Sequence, residues 1–430
     1  MLHIRFIREN IDLIRENLER RRDVVKLKDF ERLLKIDDKV RVLRMEIQEL
    51  RTQRNRLSRE VGILKKQGKD DSEIVKRAGE VNDKIASVEQ ETAKLEKELK
   101  SIQMRLPNIL HESVPYGASD EDNEVVREWG GRPEFDFNVH SHVDLLEFLD
   151  IGDISSAAKI AGARFYYLKN ELVMIDLAMQ QMALGMLMKK GFSPMYPPFM
   201  MKREPYEGVT DLADFEDVMY KIEGEDLYLI ATSEHPLAAL HMGDIFEPVD
   251  LPLKLAGIST CFRKEAGSHG KDTKGIFRVH QFSKVEQFVY SLPDESWKIH
   301  EELIQNEEEF IQTLKLPYRV VNVCTGDIGT VAAKKYDLEL WMPGQQKYRE
   351  GGSCSNCTGY QATRLNIKYR LKKGGTEKDY VHTLNSTMVA NTRTIVAILE
   401  VYQQEDGSVK IPTALHKYLP SGMKEIVPIE

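Results

Sequence analysis

The sequence is poor in cysteine, with four cysteines among 430 residues. Four thiols in a chain of this length are too few for the disulfide framework of a small secreted protein. The opening residues, MLHIRFIREN, also lack the apolar core of a signal peptide. We therefore expect a cytoplasmic protein in a reducing environment.

Long uninterrupted apolar runs are also lacking. The most apolar segment runs from Leu172 to Met188, and it contains Asp176, Gln180 and Gln181. A membrane-spanning helix needs about 20 predominantly apolar residues, so these polar side chains argue against a membrane partner. The methionines of this segment are more typical of a core or a subunit interface than of a cofactor site.

The chain has no excess of positive charge, because 61 lysines and arginines stand against 69 aspartates and glutamates, a net charge of −8. Bulk attraction therefore cannot bind a polyanion, which would need a local basic patch. Hydrophobic residues make up 41% of the sequence, and its length exceeds that of one ordinary core. We expect a globular protein with at least two domains.

Apolar residues recur at alternating spacings of three and four in two N-terminal segments. Heptad spacing sustained over about 35 residues is typical of a coiled coil. The polar break between the segments contains Gly68, a candidate helix C-cap, and Pro107 ends the second segment. Because the break is short, we expect an antiparallel helical hairpin. The heptad positions are Leu33, Ile36, Val40, Leu43, Ile47, Leu50, Arg54, Leu57, Val61 and Leu64, then Ile74, Ala78, Val81, Ile85, Val88, Thr92, Leu95, Leu99, Ile102 and Leu106.

The stretch from Arg51 to Lys69, at the end of the first segment, is strongly basic. One acid, Glu60, accompanies seven cations, and a basic patch near the end of an arm suits the capture of a polyanion. Two alternatives stay open: a solvated coiled-coil face with an uneven charge, and an arm that binds another protein. The cations are Arg51, Arg54, Arg56, Arg59, Lys65, Lys66 and Lys69.

A second candidate site lies in residues 261–290. Two apolar runs flank a loop of glycines and cations, which predicts a long β-hairpin with a charged tip. Arg263 offers a planar fork to phosphate, and Glu265 and Glu286 could hold an amine or an exocyclic amino group. A surface hairpin with solvated charges is the alternative. The loop residues are Gly267, Gly270, Lys271, Lys274, Gly275 and Arg278.

The sequence FRKEAGSHGKDTKGIFRVHQFSKVEQF of this hairpin resembles motif 2 (about 256–290) of class II aminoacyl-tRNA synthetases, in the form found in the seryl-tRNA synthetase family. The apolar segment and the following prolines, with Pro198, are similar to motif 1 (about 170–202). YVHTLNSTMVANTRTIVAILEVY resembles motif 3 (about 381–402), with Arg393 at its arginine. The N-terminal helix IRENIDLIRENLERRR is also similar to that of the family.

The resemblance implies an α+β fold: an N-terminal antiparallel coiled-coil arm, followed by a catalytic domain built on an antiparallel β-sheet flanked by helices. The expected domains are 1–112, with the coiled coil at about 29–106, and 113–430. Motif 1 implies a homodimer, and the arm implies a grip on tRNA. The implied reaction is the activation of L-serine by ATP and its transfer to tRNA(Ser), with tRNA(Sec) as a further candidate.

The resemblance also assigns roles to particular residues. Arg263, Arg393 and Glu350 are the catalytic candidates, and Glu350 with Ser353 would hold Mg²⁺ together with ATP. The residues implied for ATP are Arg263, Glu265, Val279, Phe282, Glu350, Gly351, Gly352, Ser353 and Arg393. Those implied for serine are Thr232, Ser233, Glu234, Arg263, Glu286, Asn385 and Thr387.

Several of these residues have other interpretations. Thr232, Ser233 and Glu234 are equally suited to capping a helix. Cys354 and Cys357 have the spacing of a zinc pair, but no second paired motif supplies the other two ligands, so we expect no structural zinc. Two other functions are considered, a synthetase-like scaffold that binds RNA without catalysis and a ligase that loads an amino acid onto a carrier protein.

Overall fold

The structure is a computed structural model that describes residues 1–210, 218–265 and 274–428. The chain divides into two compact units, Leu2–Leu106 on the one hand and Pro107–Glu430 with Met1 on the other. The helices are α1 Ile4–Glu9, α2 Ile11–Arg20, α3 Val24–Lys66, α4 Ser72–Arg105, α5 His142–Phe148, α6 Ile154–Ala161, α7 Glu171–Lys189, α8 Arg203–Val209, α9 Glu234–Ala239, α10 Ser296–Thr313, α11 Tyr360–Leu365 and α12 Asn391–Tyr402.

The strands are short except in the centre of the second unit. They are β1 Glu124–Trp129, β2 Gly152–Asp153, β3 Tyr167–Leu168, β4 Ser193–Met195, β5 Met200–Met201, β6 Tyr228–Leu229, β7 Ile245–Phe246, β8 Leu253–Phe262, β9 Gln281–Ser291, β10 Tyr318–Asn322, β11 Lys334–Met342, β12 Lys347–Asn356, β13 Lys368–Arg370, β14 Lys378–Tyr380, β15 His382–Ala390, β16 Val409–Lys410 and β17 Glu425–Ile426.

In the first unit, α3 and α4 pack along each other with heptad side chains at their interface. Leu43, Ile47 and Leu57 of α3 and Val81 and Ile85 of α4 belong to one buried cluster. The cross-helix ion pairs run antiparallel, since Arg44 pairs with Glu96 at 2.7 Å and Arg51 pairs with Glu89 at 2.8 Å. The predicted antiparallel coiled coil is therefore confirmed.

The turn between these helices has Gly68 just after the end of α3, as the sequence predicts. Gly68 has a φ of +66°, a left-handed conformation that glycine adopts without steric cost. Asp71 is the N-cap residue of α4, while the side chain of Asp70 accepts a hydrogen bond from the Ser72 amide at 3.0 Å. The helix ends at Arg105, two residues before Pro107.

The predicted N-terminal helix is wrong in one respect, because Asn10 divides it into α1 and α2. Asn10 has a φ of −134° and a ψ of 41°, which are not helical values. Its side-chain amide donates to the carbonyl of Phe6 at 2.9 Å. Asparagine competes with the helix for backbone groups in this way, which favours caps over helix interiors.

The second unit is built on an eight-stranded sheet with the strand order β1-β10-β11-β12-β15-β9-β8-β4. Neighbouring strands are antiparallel except at one edge, where β4 pairs with β8 in parallel. The predicted α+β class is confirmed, as is the hairpin of residues 261–290, since β8 and β9 form a continuous antiparallel ladder from Leu253 to Phe262. The hairpin residues Gly267, Gly270 and Lys271 lie outside the described residues.

The helix α7 packs into the main core of this unit. By length and composition it is the one helix in the described ranges that is apolar enough to cross a membrane. However, Leu172, Ile175, Met179 and Met182 are buried in the hydrophobic cluster that surrounds the sheet. Core helices of globular proteins have the same composition.

The motif 3 segment, at about 381–402, forms a strand that leads directly into a helix. β15 ends at Ala390 and α12 begins at Asn391, so no turn separates them. Ala390 itself is the N-cap, with an extended backbone. Arg393 therefore lies in the first turn of α12.

Candidate active site

The residues proposed from motif 2 and motif 3 lie side by side on adjacent strands. Glu286 of β9 is opposite Thr387 of β15 on one side and opposite Gly257 of β8 on the other. Because side chains alternate along a strand, Lys284 faces the same way as Glu286. The two form an ion pair in which the lysine side chain is 8% exposed and the glutamate 1%.

A second carboxyl group, that of Glu234, joins this buried site from the first residue of α9. The Asn385 amide donates to it at 3.0 Å and the Gln361 amide at 3.3 Å. Burial, followed by the charge of Glu286, raises the pKa of Glu234 to about 7. The Thr232 hydroxyl lies 3.5 Å from Glu286.

Ser233 differs from its neighbours in what it contacts. Its side chain is fully buried, and its hydroxyl donates to the Gly257 carbonyl at 3.3 Å. A Cβ at position 257 would lie 2.8 Å from the Ser233 Cβ, so glycine is needed for this close approach. The contact fixes the segment that carries Thr232 and Glu234 against β8.

Arg263 lies at the end of this acidic site, just beyond β8. Its Nε donates to the Ala231 carbonyl at 3.3 Å, and its guanidinium is 5.2 Å from the centre of the Phe282 ring. Burial raises the pKa of Glu286, and the positive charge of Arg263 partly opposes this rise. At Glu350, the charge of Arg263 adds to that of Arg393 in lowering the pKa. Arg263 is thus close to both carboxyl groups.

Glu265 and Val279 flank the described ends of the hairpin loop. Glu265 has a φ of +50° and pairs with Arg278 at 3.3 Å. Arg164 also donates to the Glu265 carbonyl at 3.2 Å. Val279 is buried. These contacts hold the base of the loop where it leaves β8 and returns to β9.

Arg393 and Glu350 form the other end of the site. The Arg393 guanidinium is 3.1 Å from the Glu350 carboxylate, and it also donates to the Glu350 backbone carbonyl at 3.1 Å. Arg393 is the main cause that holds the pKa of Glu350 well below its usual range, and Lys335 and Arg263 act in the same direction. Glu350 is therefore a carboxylate surrounded by three cations.

Glycine occupies the two positions after Glu350 for two different structural reasons. The pairing of β11 with β12 shifts between Leu338 and Glu339, which leaves Gly351 as an extra residue in a β-bulge. A Cβ on Gly352 would lie 2.1 Å from Oε1 of Glu307, so a larger residue would not fit there without a shift.

Ser353 is opposite Asp337 of β11, and Asp337 pairs with Lys335 at 3.1 Å. In the ranges that the structure describes, no group of three or more His, Cys, Asp or Glu side chains is arranged to hold a metal ion. Cys354 and Cys357 are buried, and their sulfurs contact the His300 carbonyl at 3.6 Å and the Asn385 amide at 3.7 Å.

Sequence reasoning missed three charged residues near the site, namely Glu307, Lys335 and Asp337, and it gave no role to Lys284. Lys284 has a usable signal, because its spacing of two from Glu286 on a predicted strand puts both on one face. The other three residues have no such signal in the sequence. They lie on α10 and β11, and only the order of strands in the folded sheet brings these elements near the site.

In the basic part of the arm, three of the seven cations have a carboxylate within 4.0 Å: Arg51, Arg56 and Lys65. The side chains of Arg59, Lys66 and Lys69 are exposed. Of these carboxylates only Glu89, the partner of Arg51, belongs to α4, so the second helix neutralises little of the patch.

Two family models match this chain. The tRNA synthetase class II core domain (G, H, P, S and T) matches residues 218–402, and the seryl-tRNA synthetase N-terminal domain matches residues 1–110. The first match covers β8, β9, β12 and β15, which carry most of the site described above. Fold and site together define the catalytic core of a class II aminoacyl-tRNA synthetase.

Comparison with relatives that match nearly the whole chain identifies the family within this class. The chain is 54% identical over 419 residues to the serine–tRNA ligase of Methanocella arvoryzae, which covers 97% of this chain and 99% of that protein. The solved seryl-tRNA synthetase of Pyrococcus horikoshii, a complex with ATP, matches with a TM-score of 0.94, 50% identity and 100% coverage of both chains. The cytoplasmic serine–tRNA ligase of Naegleria fowleri, a complex with AMP, matches with a TM-score of 0.88 and 36% identity over 98% of this chain and 97% of that one.

The chain belongs to the seryl-tRNA synthetase family. It is an enzyme that activates serine and charges tRNA with it. The family resemblance of the motifs is confirmed, and the alternatives of a scaffold without catalysis and of a carrier-protein ligase are set aside.

Proposed function

We propose that the chain activates L-serine with ATP in the site between Glu286 and Glu350. The observation that carries this proposal is the position of Arg263, which lies just beyond β8 with its Nε hydrogen-bonded to the Ala231 carbonyl and its guanidinium 5.2 Å from the centre of the Phe282 ring. A cation at this junction suits the α-phosphate, where the serine carboxylate attacks and pyrophosphate leaves. The carboxylate is already ionised at neutral pH, so positioning and charge stabilisation suffice without a general base.

The ATP end of the site extends from Arg263 to Arg393. Phe282, which lies under the Arg263 guanidinium, offers a ring for adenine, with Glu265 and Val279 beside it. Arg393 is proposed to hold the γ-phosphate from the first turn of α12, where the helix dipole also favours an anion. The ATP complex of the Pyrococcus horikoshii relative supports ATP as the nucleotide.

Mg²⁺ is proposed to bind at Glu350 and Ser353, together with ATP. The ordinary oxygen ligands of Mg²⁺ include carboxylates and substrate phosphates, and the low pKa of Glu350 keeps its carboxylate ionised. Since two side chains do not complete an octahedral shell, the phosphates and water would supply the other ligands. The bound ion would neutralise charge on the phosphates, while Gly351 and Gly352 allow the backbone to turn beside them.

The serine end is formed by five polar side chains. Glu234 and Glu286 are proposed to hold the ammonium and hydroxyl groups of serine, with Thr232 and Asn385 fixing the two carboxyl groups by the contacts described above. Thr387 is opposite Glu286 and would line the same pocket. Ser233 is proposed to act through its buried contact with β8.

The pKa of Glu234 leads to a pH dependence of serine activation. A carboxyl group with a pKa of about 7 is largely protonated at pH 6 and ionised at pH 8, and only the ionised form attracts an ammonium group. We therefore expect kcat/KM for serine, measured by serine-dependent ATP–pyrophosphate exchange, to rise about tenfold from pH 6 to pH 8. Glu234→Gln should lower and flatten the profile. A flat wild-type profile would count against this role, and a lack of serine-dependent exchange would count against the function itself.

We further propose that the arm, in a domain of residues 1–112, binds the acceptor tRNA through its basic part. The proposed RNA is tRNA(Ser), with tRNA(Sec) as a second candidate. The exposed cations of this part are suited to a phosphate backbone. Because the chain as a whole is acidic, with a net charge of −8, this local patch would determine where the RNA binds.

Replacing Arg54, Arg59, Lys66 and Lys69 by alanine together should lower kcat/KM for tRNA charging by about 100-fold, because each lost phosphate contact weakens binding. Serine-dependent ATP–pyrophosphate exchange without tRNA should not change. The matched control replaces Lys35, Lys94, Lys97 and Lys100, exposed lysines at the other end of the coiled coil. Equal losses in both variants would refute a localised RNA site.

A homodimer is proposed for the catalytic domain, residues 113–430, with motif 1 at the interface. Apolar side chains of α7 that face away from the core support it, since Leu177 is 46% exposed and Met188 58%. Pro198 follows the edge strand β4 and precedes β5. The cytoplasm is the proposed compartment.

A further inference from the structure

Glu307 is a buried acid with no role in the proposed chemistry. It lies on α10, which packs against β11, β12 and β15, and its side chain is 2% exposed. The Ser386 hydroxyl donates to its Oε2 at 3.4 Å. A buried carboxyl group this close to an active site needs a physical reason, because burial of such a group is costly unless it is paired or neutral.

The reason lies in the missing side chain of Gly352. Pairing between β12 and β15 stops at Cys354 and Ser386, so Gly352 lies where the two strands separate. A Cβ there would lie 2.1 Å from Oε1 of Glu307, 2.8 Å from Cβ of Thr387 and 2.9 Å from its Cγ2. The side chains of Glu307 and Thr387 therefore meet in the space that a side chain at position 352 would occupy.

We propose that Glu307 is a positioning residue for the serine pocket: its carboxyl group fills the space beside Gly352 and supports Thr387 from behind, so that the pocket admits serine and rejects threonine. The inference rests on the proposed function, because it takes Thr387 as a residue that lines the serine pocket. Threonine differs from serine by one methyl group, and a wall rejects a methyl group only if it cannot move back.

The electrostatic surroundings are compatible with this packing role. Burial, and then the charges of Glu286 and Asp337, raise the pKa of Glu307 well above its usual value. A neutral carboxyl group can pack beside Glu286 without adding a second negative charge to the pocket. Glu307 is thus a space-filling polar group whose hydroxyl partner comes from Ser386.

The first test compares Glu307→Ala with Glu307→Gln in amino-acid-dependent ATP–pyrophosphate exchange. Removing the carboxyl group should raise the KM for serine about tenfold and should raise the ratio of kcat/KM for threonine to that for serine about tenfold. Glutamine keeps the volume, so both values should stay within about threefold of wild type. The KM for ATP should be unchanged in both variants.

The matched control is Glu308→Ala. Glu308 is the next residue on α10 and is also buried, with 6% exposure. It pairs with Arg127 at 2.6 Å and accepts a hydrogen bond from the Tyr318 hydroxyl at 2.9 Å. Its loss should lower the melting temperature without changing the threonine-to-serine ratio, because a lost buried pair destabilises the fold. A similar change of the ratio in Glu308→Ala would reduce Glu307 to an ordinary structural residue and overturn the inference.

A double-mutant cycle tests the shared space directly. Gly352→Ala should raise the KM for serine about tenfold in the wild-type background but only about threefold when combined with Glu307→Ala. In the double variant the 2.1 Å contact with the carboxyl oxygen is gone, while the contacts of the new Cβ with Thr387 at 2.8 Å and 2.9 Å remain. Equal factors in the two backgrounds would overturn the inference. Should Glu307→Ala not fold, Glu307→Gln and Gly352→Ala still decide: the inference requires wild-type selectivity from the first and a changed KM for serine from the second.

Failure of this inference can be distinguished from failure of the proposed function. If the wild-type protein shows no serine-dependent exchange, the proposed function is wrong, and the inference that rests on it is wrong as well. If exchange occurs but Thr387→Ala leaves the KM for serine unchanged, Thr387 is not a serine contact, so this inference is wrong while the function stands. If Thr387→Ala raises that KM while Glu307→Ala leaves the threonine-to-serine ratio unchanged, only the role of Glu307 is wrong. If Thr387→Ala raises the KM for serine and Glu307→Ala raises the threonine-to-serine ratio, the proposed function and the role of Glu307 are both supported.

Discussion

Replacement of Glu286 by alanine is expected to lower kcat/KM for serine in ATP–pyrophosphate exchange by about 10³-fold or more. Two losses combine in this variant. The substrate loses a buried hydrogen-bonding partner, and sites that read a hydroxyl group discriminate strongly through such partners. Lys284, which is 8% exposed and paired with Glu286, also becomes a buried charge without its carboxylate.

Because the second loss destabilises the protein, Glu286→Gln is the necessary companion variant. Its amide keeps the size of the side chain, and it can still accept a hydrogen bond from Lys284. We expect Glu286→Gln to melt closer to the wild type than Glu286→Ala and yet to activate serine poorly. Wild-type exchange rates in a folded Glu286→Gln protein would refute the assignment of Glu286.

Replacement of Arg393 by alanine is expected to lower the rate of adenylate formation by about 10³-fold, with a smaller effect on the KM for serine. Arginines that stabilise charge on a transferring phosphate have effects of this size. Glu350 also loses the cation that most lowers its pKa. That pKa should therefore rise, although Lys335 and Arg263 still lower it. Single-turnover formation of seryl-adenylate measures the effect.

Arg127 provides a matched control for this variant. Arg127 is also paired with a glutamate, but it lies on β1, an edge strand of the sheet. Its side chain is 34% exposed, compared with 16% for Arg393. Arg127→Ala should lower the stability of the protein and should leave the rate of adenylate formation near that of the wild type. If Arg393→Ala and Arg127→Ala slow the reaction equally, Arg393 has no specific role at the phosphates.

The features that could be predicted from the sequence are those set by local periodicity and local capping. Heptad spacing identified the two helices of the arm, and Gly68 marked the turn between them. The alternation around residues 261–290 identified β8 and β9, because a two-stranded ladder needs only neighbouring segments. The break at Asn10 was missed, since the apolar pattern continues through it.

The remaining features depend on contacts between distant segments. Glu307 is separated from Gly352 by two strands and a turn, and only the sheet order places its carboxyl group beside that glycine. Likewise, Lys335 and Asp337 come near Glu350 because β11 pairs with β12 through a bulge. Nothing in the sequence around residues 307 or 335–337 indicates these neighbours.

The account as a whole depends on one triphosphate that reaches from Arg263 to Arg393. A crystal structure of this chain with ATP tests it most directly. We predict that the α-phosphate contacts Arg263, that the γ-phosphate contacts Arg393 and that adenine lies against Phe282. A triphosphate bound away from either arginine would contradict the account.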